Sequence, residues 1–354
     1  MIKTITAVYL RVLLIATISI SILCSVLFYS CSENSIVQTQ SKTPNTNDYY
    51  IWSVETADLE GITSVSGTGG QAGSNPIYAG GIKSYRILNG VKKEINFNDE
   101  KFIASEVKAF NKDYAVFLGY KNFPPDTAYF KIYDNDVIKS YSTKLEQTDY
   151  LQGIYIIDKN NFFVANEGPL CYYEFKDSEF KRHMLPNNFT PLKFTKLNGE
   201  LLLTARYENN SFNTFFKIAA DGTASILRSE EPNGRIFYLN NDIIKVTEDN
   251  MLVEFSYFTS TAWTKFYSSW RNSNGEKAVY LTGESKDFFS VMTVDNQYNI
   301  HVNVWNGKEY TEQDNFPSGL TAFETLGTVS DYNNGAFYFY YSSAKKLFKA
   351  LKNN

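Results

Sequence analysis

Residues Leu192 to Leu227 constrain the fold more than any other stretch. Leu192-Lys-Phe-Thr-Lys-Leu197 alternates in polarity, turns at Asn198-Gly199 and returns as Leu201-Leu-Leu-Thr-Ala205. After the polar run Tyr207 to Asn213 come Thr214-Phe-Phe-Lys-Ile218, a second turn at Asp221-Gly222, and Ala224-Ser-Ile-Leu227. Asn-Gly and Asp-Gly between such runs are strong hairpin signals, because tight hairpin turns need positive φ at their central residues. The stretch therefore predicts four consecutive antiparallel strands. One such meander leaves both of its faces uncovered; copies stacked face to face cover one another.

Copies are visible through their turns. Asn- or Asp-centred turns, each followed by an apolar run, recur near Asn75, Lys112-Asp113, Asn160-Asn161, Asn198-Gly199, Asn240-Asn241, Asp295-Asn296 and Asn333-Asn334. Their mean spacing is about 43 residues, which is what four short strands and their turns require and what propeller repeats use. The expectation is an all-β chain, a β-propeller of about seven four-stranded blades over residues 49–354. Runs such as Tyr114-Ala-Val-Phe-Leu118, Phe162-Phe-Val-Ala165 and Phe337-Tyr-Phe-Tyr-Tyr341 read as strands. Two segments also fit helical spacing: Ala344, Leu347, Phe348 and Leu351, and Phe102-Ile103, Val107 and Phe110. The first reads better as half of a hairpin. The last unit, Leu320–Val329, Ala336–Tyr341 and Lys346–Lys352, is one strand short, and Tyr49–Val54 is a spare strand at the other end. Pairing the two closes the ring and removes its exposed edges. A pair of sandwiches would also show frequent turns, but seven similar units without an obvious linker favour the ring.

The N-terminal segment predicts an address. Lys3 and Arg11 precede an apolar run from Val12 to Tyr29, then Ser30-Cys31, the layout of a secretory signal over residues 1–30. Leu27-Phe-Tyr-Ser-Cys31 resembles the lipobox of bacterial lipoproteins, which implies lipidation at Cys31 and a membrane partner through that lipid. An uncleaved anchor is the alternative, since about 18 apolar residues just span a bilayer; ordinary cleavage is another. Residues 31–48 are polar and without periodicity, as a flexible tether should be, and a coil of that length reaches roughly 20–25 Å. Paired with the aromatic-x-x-Asn-Gly hairpin endings at Tyr85–Gly90 and Val304–Gly307, this layout resembles bacterial, Bacteroidota-like lipoproteins with divergent β-propeller domains. The resemblance implies a protein of the cell envelope, held at the outer membrane.

Composition narrows the chemistry. The chain carries 27 Phe and 26 Tyr against 4 Trp, which suits half-buried pleated surfaces. Net charge is −4 and no block of Lys/Arg stands out, so nucleic acid is not an expected partner. No G-x-S-x-G elbow, P-loop, H-E-x-x-H, paired-Cys spacing or EF-hand loop occurs. No catalytic residue, cofactor or metal ligand is therefore assigned. Cys171, in Pro169-Leu-Cys-Tyr-Tyr173, reads as a small buried hydrophobe on a strand, with His183 a remote candidate base. His183 and His301 are isolated. Asp134 and Asp136, Glu230 and Glu231, and Asp242 stand in turn-like contexts, where Asp caps and bends the chain. Gly80-Gly81 reads as a turn or bulge. No helix follows the glycine-rich Gly67–Gly73 to supply a phosphate-binding N-terminus.

Trp52, Trp263 and Trp305 are expected to pack between blades. Trp270, in Ser268-Ser-Trp-Arg-Asn-Ser273, stands in a polar stretch and, with Arg271, marks the candidate ligand-contact surface. The functional expectation is a lipid-anchored extracytoplasmic propeller that binds a polysaccharide or an envelope protein. A propeller glycosidase or lyase with acids near the central channel, and a structural component of an outer-membrane complex, are the competing classes.

Overall fold

A computed structural model describes residues 50–352 except 68–74, 147–148, 169, 187–188, 208–212, 231–233, 240–241, 249–251, 260–261, 271–276, 314–328, 334–335 and 342–344. The first strand, β1, is Tyr50–Thr56. Blade 1 is β2 (Ile62–Gly67), β3 (Ile77–Gly81), β4 (Tyr85–Leu88) and β5 (Val91–Glu94). Blade 2 is β6 (Ile103–Asn111), β7 (Tyr114–Tyr120), β8 (Thr127–Asp134) and β9 (Val137–Lys144). Blade 3 follows with β10 (Leu151–Asp158), β11 (Asn161–Asn166), β12 (Cys171–Lys176) and β13 (Glu179–Met184). The Leu192–Leu227 meander is blade 4: β14 (Phe189–Leu197), β15 (Glu200–Tyr207), β16 (Asn213–Ile218) and β17 (Ala224–Glu230). Blade 5 is β18 (Arg235–Tyr238), β19 (Ile243–Glu248), β20 (Leu252–Phe258) and β21 (Trp263–Trp270). Blade 6 is β22 (Lys277–Ser285), β23 (Phe288–Val294), β24 (Ile300–Trp305) and β25 (Tyr310–Glu312). Blade 7 takes β26 (Val329–Asn333), β27 (Ala336–Tyr341) and β28 (Lys346–Lys352), and β1 completes it.

The fold is thus a seven-bladed propeller of four-stranded sheets, closed as expected by the N-terminal strand, with Tyr50 opposite Lys352 and Val54 opposite Phe348. A buried ion pair fastens that closure: Glu55 of β1 meets Lys349 of β28 at 3.2 Å. Neighbouring innermost strands pack together, and β26 returns to β2. Each blade interface carries its own apolar cluster, because a sheet with two apolar faces must bury both. Phe130, Phe162 and Phe175 fill the space between blades 2 and 3, and Phe255, Phe289 and Trp305 that between blades 5 and 6.

Antiparallel strands place the turns after first and third strands on one side of the ring, and the remaining connections on the other. Apart from the connection 68–76 of blade 1, the first side is built from short turns. Asn89-Gly90, Asn135-Asp136, Asp177-Ser178 and Asn198-Gly199 all hold two consecutive positive φ values, the requirement of a two-residue hairpin that follows strand twist. The outer strand of one blade then touches the third turn of the next. Glu55 accepts the Gly90 N–H at 2.8 Å, Lys93 pairs with Asp136 at 2.8 Å, Tyr141 lies 3.3 Å from Ser178, and Gly222 packs on the His183 ring. Tyrosines stitch the same interfaces from inside: Tyr78 donates to the Lys112 carbonyl at 2.8 Å and Tyr114 to that of Lys159 at 2.7 Å.

Three sequence expectations change in detail. The turn marker at Asp295-Asn296 belongs one strand later than its fellows; the matching turn of blade 6 is Lys286-Asp287, between β22 and β23. That shift removes the longest gap in the series. The first strand of blade 7 is Val329–Asn333, and residues 320–328 lie outside the described residues. The Phe102–Phe110 segment, which also fitted a helix, is strand β6; a bulge beside Ser105 shifts its register and disturbs strict alternation. Gly80-Gly81 does face a bulge, at Thr63 on the paired strand, and a Cβ on Gly81 would run into the Gly61 carbonyl.

Candidate functional site

The longer connections of the second side build the open surface of the molecule. Between blades 1 and 2, the loop 82–84 and the connection 95–102 enclose a cleft of about 650 Å³, within the range of ligand-sized pockets. Ile82, Phe97 and Phe102 supply its apolar walls, and Lys83, Glu94, Asn96, Asn98 and Asp99 its polar ones. Phe97 sets Phe102 at 5.2 Å and Phe117 at 5.0 Å, so the wall is anchored in the interface core.

Asp99 organises the polar end. Its Oδ2 accepts from Lys121 at 2.8 Å and from Lys131 at 3.0 Å, and Lys131 is buried. Burial acts to raise the Asp99 pKa, but hydrogen bonds from the two ammonium groups outweigh it and hold the carboxyl below its usual range. Lys121 also lies over the Tyr129 ring at 4.2 Å. It roots the next loop, Lys121-Asn-Phe-Pro-Pro-Asp126, which lifts Phe123 to 90% exposure. Ile82, on the cleft wall, is 67% exposed, and Ile103, which follows Phe102 in the chain, is 48% exposed. Contiguous exposed apolar surface is uncommon on monomers, and aromatic side chains are enriched in binding hot spots.

Other polar clusters are internal. Asp149 accepts from the Tyr173 hydroxyl and the Asn166 amide, each at 2.7 Å, with the Cys171 sulfur 3.8 Å from both of its oxygens. Cys171 is a buried strand residue, as expected, and burial, with Asp149 beside it, pushes its thiol pKa up. His183 is not its base. Strand alternation puts Tyr172, Glu174 and His183 on the opposite face, where His183 bonds Glu174 at 2.8 Å and stacks on Tyr172 at 5.1 Å. His301 stands between Glu312 at 2.6 Å and buried Asp295 at 3.3 Å. Burial opposes ionisation of Asp295. Hydrogen bonds from the Asn299 side chain and N–H, from His301 and from the Gln297 N–H outweigh it and pull the pKa down to about 2. Among the described residues no group of three or more His, Cys, Asp or Glu is arranged to hold a metal ion.

The remaining sequence candidates are distributed rather than gathered. Trp270 is the last residue of β21, opposite Leu252 on the outer strand of blade 5, so its polar stretch starts as strand. Arg271 and Cys31 lie outside the described residues. Trp305 packs between blades 5 and 6 on Tyr267 at 4.8 Å and donates to the Lys286 carbonyl. Trp263 rests on Phe258 at 5.2 Å, while for Trp52 only the backbone of β1 is described. Asp134 serves Lys139 and Lys159, Asp136 serves Lys93 and Tyr133, and Asp242 accepts the Lys286 N–H of the next blade at 2.7 Å. Glu230 ends β17, and Glu231 lies outside the described residues. The cleft and Phe123 were missed by sequence reasoning. A signal existed for Phe123, an aromatic set before Pro124-Pro125 in a polar stretch between two strong strands.

No protein-family model matches this sequence, and no curated protein aligns with it significantly. Solved structures do match. A structure of YCF48 bound to a D1 peptide superposes with a TM-score of 0.59 at 9% identity, covering 88% of this chain and 100% of the other. The β-propeller domain of Myceliophteria thermophila Cps50 (Swd1) gives 0.59 at 9%, covering 85% and 100%. A chain of the mitotic checkpoint complex gives 0.57 at 9%, covering 91% and 96%. At such identities the likeness speaks to architecture alone: the chain has the fold of a β-propeller.

Proposed function

We propose that this chain is an interaction module, a rigid ring that offers the long-loop side of blades 1 and 2 to a protein partner. One observation carries the reading: Phe123, almost wholly exposed, stands on a loop rooted by Lys121 beside a cleft walled by Ile82, Phe97 and Phe102. An exposed aromatic on a loop tied down at its root offers a partner a large apolar contact. The similar YCF48 structure holds a D1 peptide, which supports a peptide segment as the occupant. The proposal keeps the chain in the cell envelope at the outer membrane, tethered through a lipid on Cys31, with the strand that follows the tether closing blade 7. The Trp270–Arg271 end of β21 is a second ligand contact in this reading, suited to a glycan because an indole stacks on a sugar ring.

A photo-crosslinking residue at position 123, with a control at Lys196 among the tight turns, tests the surface in cells. A protein captured from position 123 alone, whose binding falls at least tenfold in Phe123→Ser, supports the reading. Equal capture from both positions, or binding untouched by Phe123→Ser, removes it. Glycan retention lost in Trp270→Ala with stability unchanged would move the site to blade 5. Fatty-acid labelling that persists in Cys31→Ala would remove the lipid anchor.

A further inference from the structure

The innermost strands share a device that the hairpin pattern hides. A bulge interrupts them at Thr63, Ser105, Gly153, Leu192 and Val279, in blades 1, 2, 3, 4 and 6. A bulge leaves backbone groups out of the ladder of its own sheet, and the neighbouring blade has to satisfy them. The residue just after the bulge occupies one recurring slot, filled in turn by Ser64, Glu106, Ile154, Lys193 and Tyr280. From blade 1 to blade 2 the link is a set of hydroxyls: Thr63 donates to the Ala104 carbonyl at 2.7 Å, and Ser64 and Ser66 accept from Val107 and Ala109. These groups do not titrate. From blade 2 to blade 3 the link is a carboxylate. Glu106 Oε2 accepts the Gly153 N–H at 2.6 Å and Oε1 the Ile154 N–H at 2.9 Å.

We propose that Glu106 is a proton-operated latch between blades 2 and 3: ionised, it holds both amides at the bulge of β10, and neutral, it loosens its grip on one of them. The proton enters one of the two accepting oxygens, and a hydroxyl oxygen accepts an N–H more weakly than a carboxylate oxygen does, so the bond there weakens. The surroundings oppose each other. Burial raises the Glu106 pKa and prevails over the Ile154 and Gly153 N–H groups, over Lys193 of β14 and over Lys108 of its own strand. Tyr120 of β7 and Tyr150, just before β10, feel its charge too, and both also feel that of Glu167. The sign follows. A raised carboxyl pKa means that the folded ring holds the proton more tightly than the unfolded chain, so stability falls as pH rises from the ordinary glutamate value to the raised one. Over that same interval the weaker of the two hydrogen bonds across the junction strengthens. The latch grips while the ring as a whole gives up some stability.

The test follows the Gly153 and Ile154 amide resonances of the full-length protein against pH. Both should titrate together, with one midpoint above the ordinary glutamate value of about 4.3. Lys193→Met should raise that midpoint, because it removes an attracting cation, and Glu106→Gln should leave both amides flat. Amides that do not respond, a shared midpoint at or below about 4.3, or an unchanged titration in Glu106→Gln would each overturn the latch. Should Glu106→Gln fail to fold, the native titration and the direction of the Lys193→Met shift still decide it.

Discussion

The tight-turn side and the long-loop side of the ring use the same strands and differ in what their residues do. On the tight-turn side, Asn, Asp and Gly are placed for backbone geometry, and each turn is held by the blade before it: Gly90 by Glu55, Asp136 by Lys93, Gly222 by His183. On the other side, Asp99 anchors the root of the loop that carries Phe123, and Asp295 orders the 295–299 turn that leaves Tyr298 half exposed. One side fixes neighbouring blades; the other is the side that we propose meets a partner. The difference predicts that substitutions on the turn side cost stability, and that substitutions at the loop tips cost binding.

Both sides presuppose a closed frame, so the largest effect comes from opening it. Deleting residues 49–55 removes β1 and leaves Lys349 buried without its carboxylate partner. Its melting transition should broaden and fall sharply, with most of a typical ~5–15 kcal/mol of net stability gone. Deleting 33–46 should leave the melt almost unchanged. Equal tolerance of both deletions in a calorimetric scan would contradict closure by β1.

The next effect lies on the tight-turn side itself. Gly222→Val must adopt positive φ and push a Cβ into the His183 ring, at a cost of roughly 3 kcal/mol in denaturant unfolding. Gly199→Val, at a turn with nothing within 4 Å of the added atom, should lose only the backbone strain, about 1–2 kcal/mol. If both cost the same, contact between blades adds nothing at that turn.

On the loop side, Asp295→Asn probes a supporting hub rather than a tip. With its folded pKa down at about 2, Asp295 contributes stability that is present above its unfolded value and lost as pH falls through the folded one. Replacement should cost about 2 kcal/mol at neutral pH and progressively less as pH falls toward 2, read as the difference between two stability–pH curves. A constant difference across pH would show that packing, not charge, holds the Asp295–Asn299 turn. Phe123→Ser should move stability least, within about 0.5 kcal/mol, while weakening partner binding at least tenfold, about 1.4 kcal/mol. A loss of several kcal/mol would show that the ring is buried and the two sides are not distinct.

Much of this is legible in the sequence. The Leu192–Leu227 meander is blade 4, the Asn-Gly and Asn-Asp turns stand where hairpins close, and Tyr50–Val54 lies against β28. The site was not legible in the same way. Phe123-Pro-Pro offered a cue, whereas the cleft forms from Ile82, Phe97 and Asp99, which become neighbours only when blade 2 folds against blade 1. Asp295 reads as a turn marker like the others, and its placement between the second and third strands of blade 6 needed the ladder. Trp270 looked like a loop residue because Ser268 and Ser269 are polar, yet an outer strand tolerates polar residues on its solvent face.

The sequence by itself determined the strands, their grouping in fours and the closure, because each follows from local chemistry: period-two alternation, positive-φ turn residues, and a spare strand at one end matching a unit one strand short at the other. Only the tertiary structure decided which residues serve the next blade. Glu106 on its strand looks like any outward-facing acid, and Ser64 like any serine. What gives them partners is a neighbouring innermost strand some 40 residues away: the bulge at Gly153 for Glu106, and the Val107 N–H of β6 for Ser64. Such contacts depend on how two sheets are set against each other. No local pattern encodes that angle, so it appears only when apolar faces from separate repeats pack together.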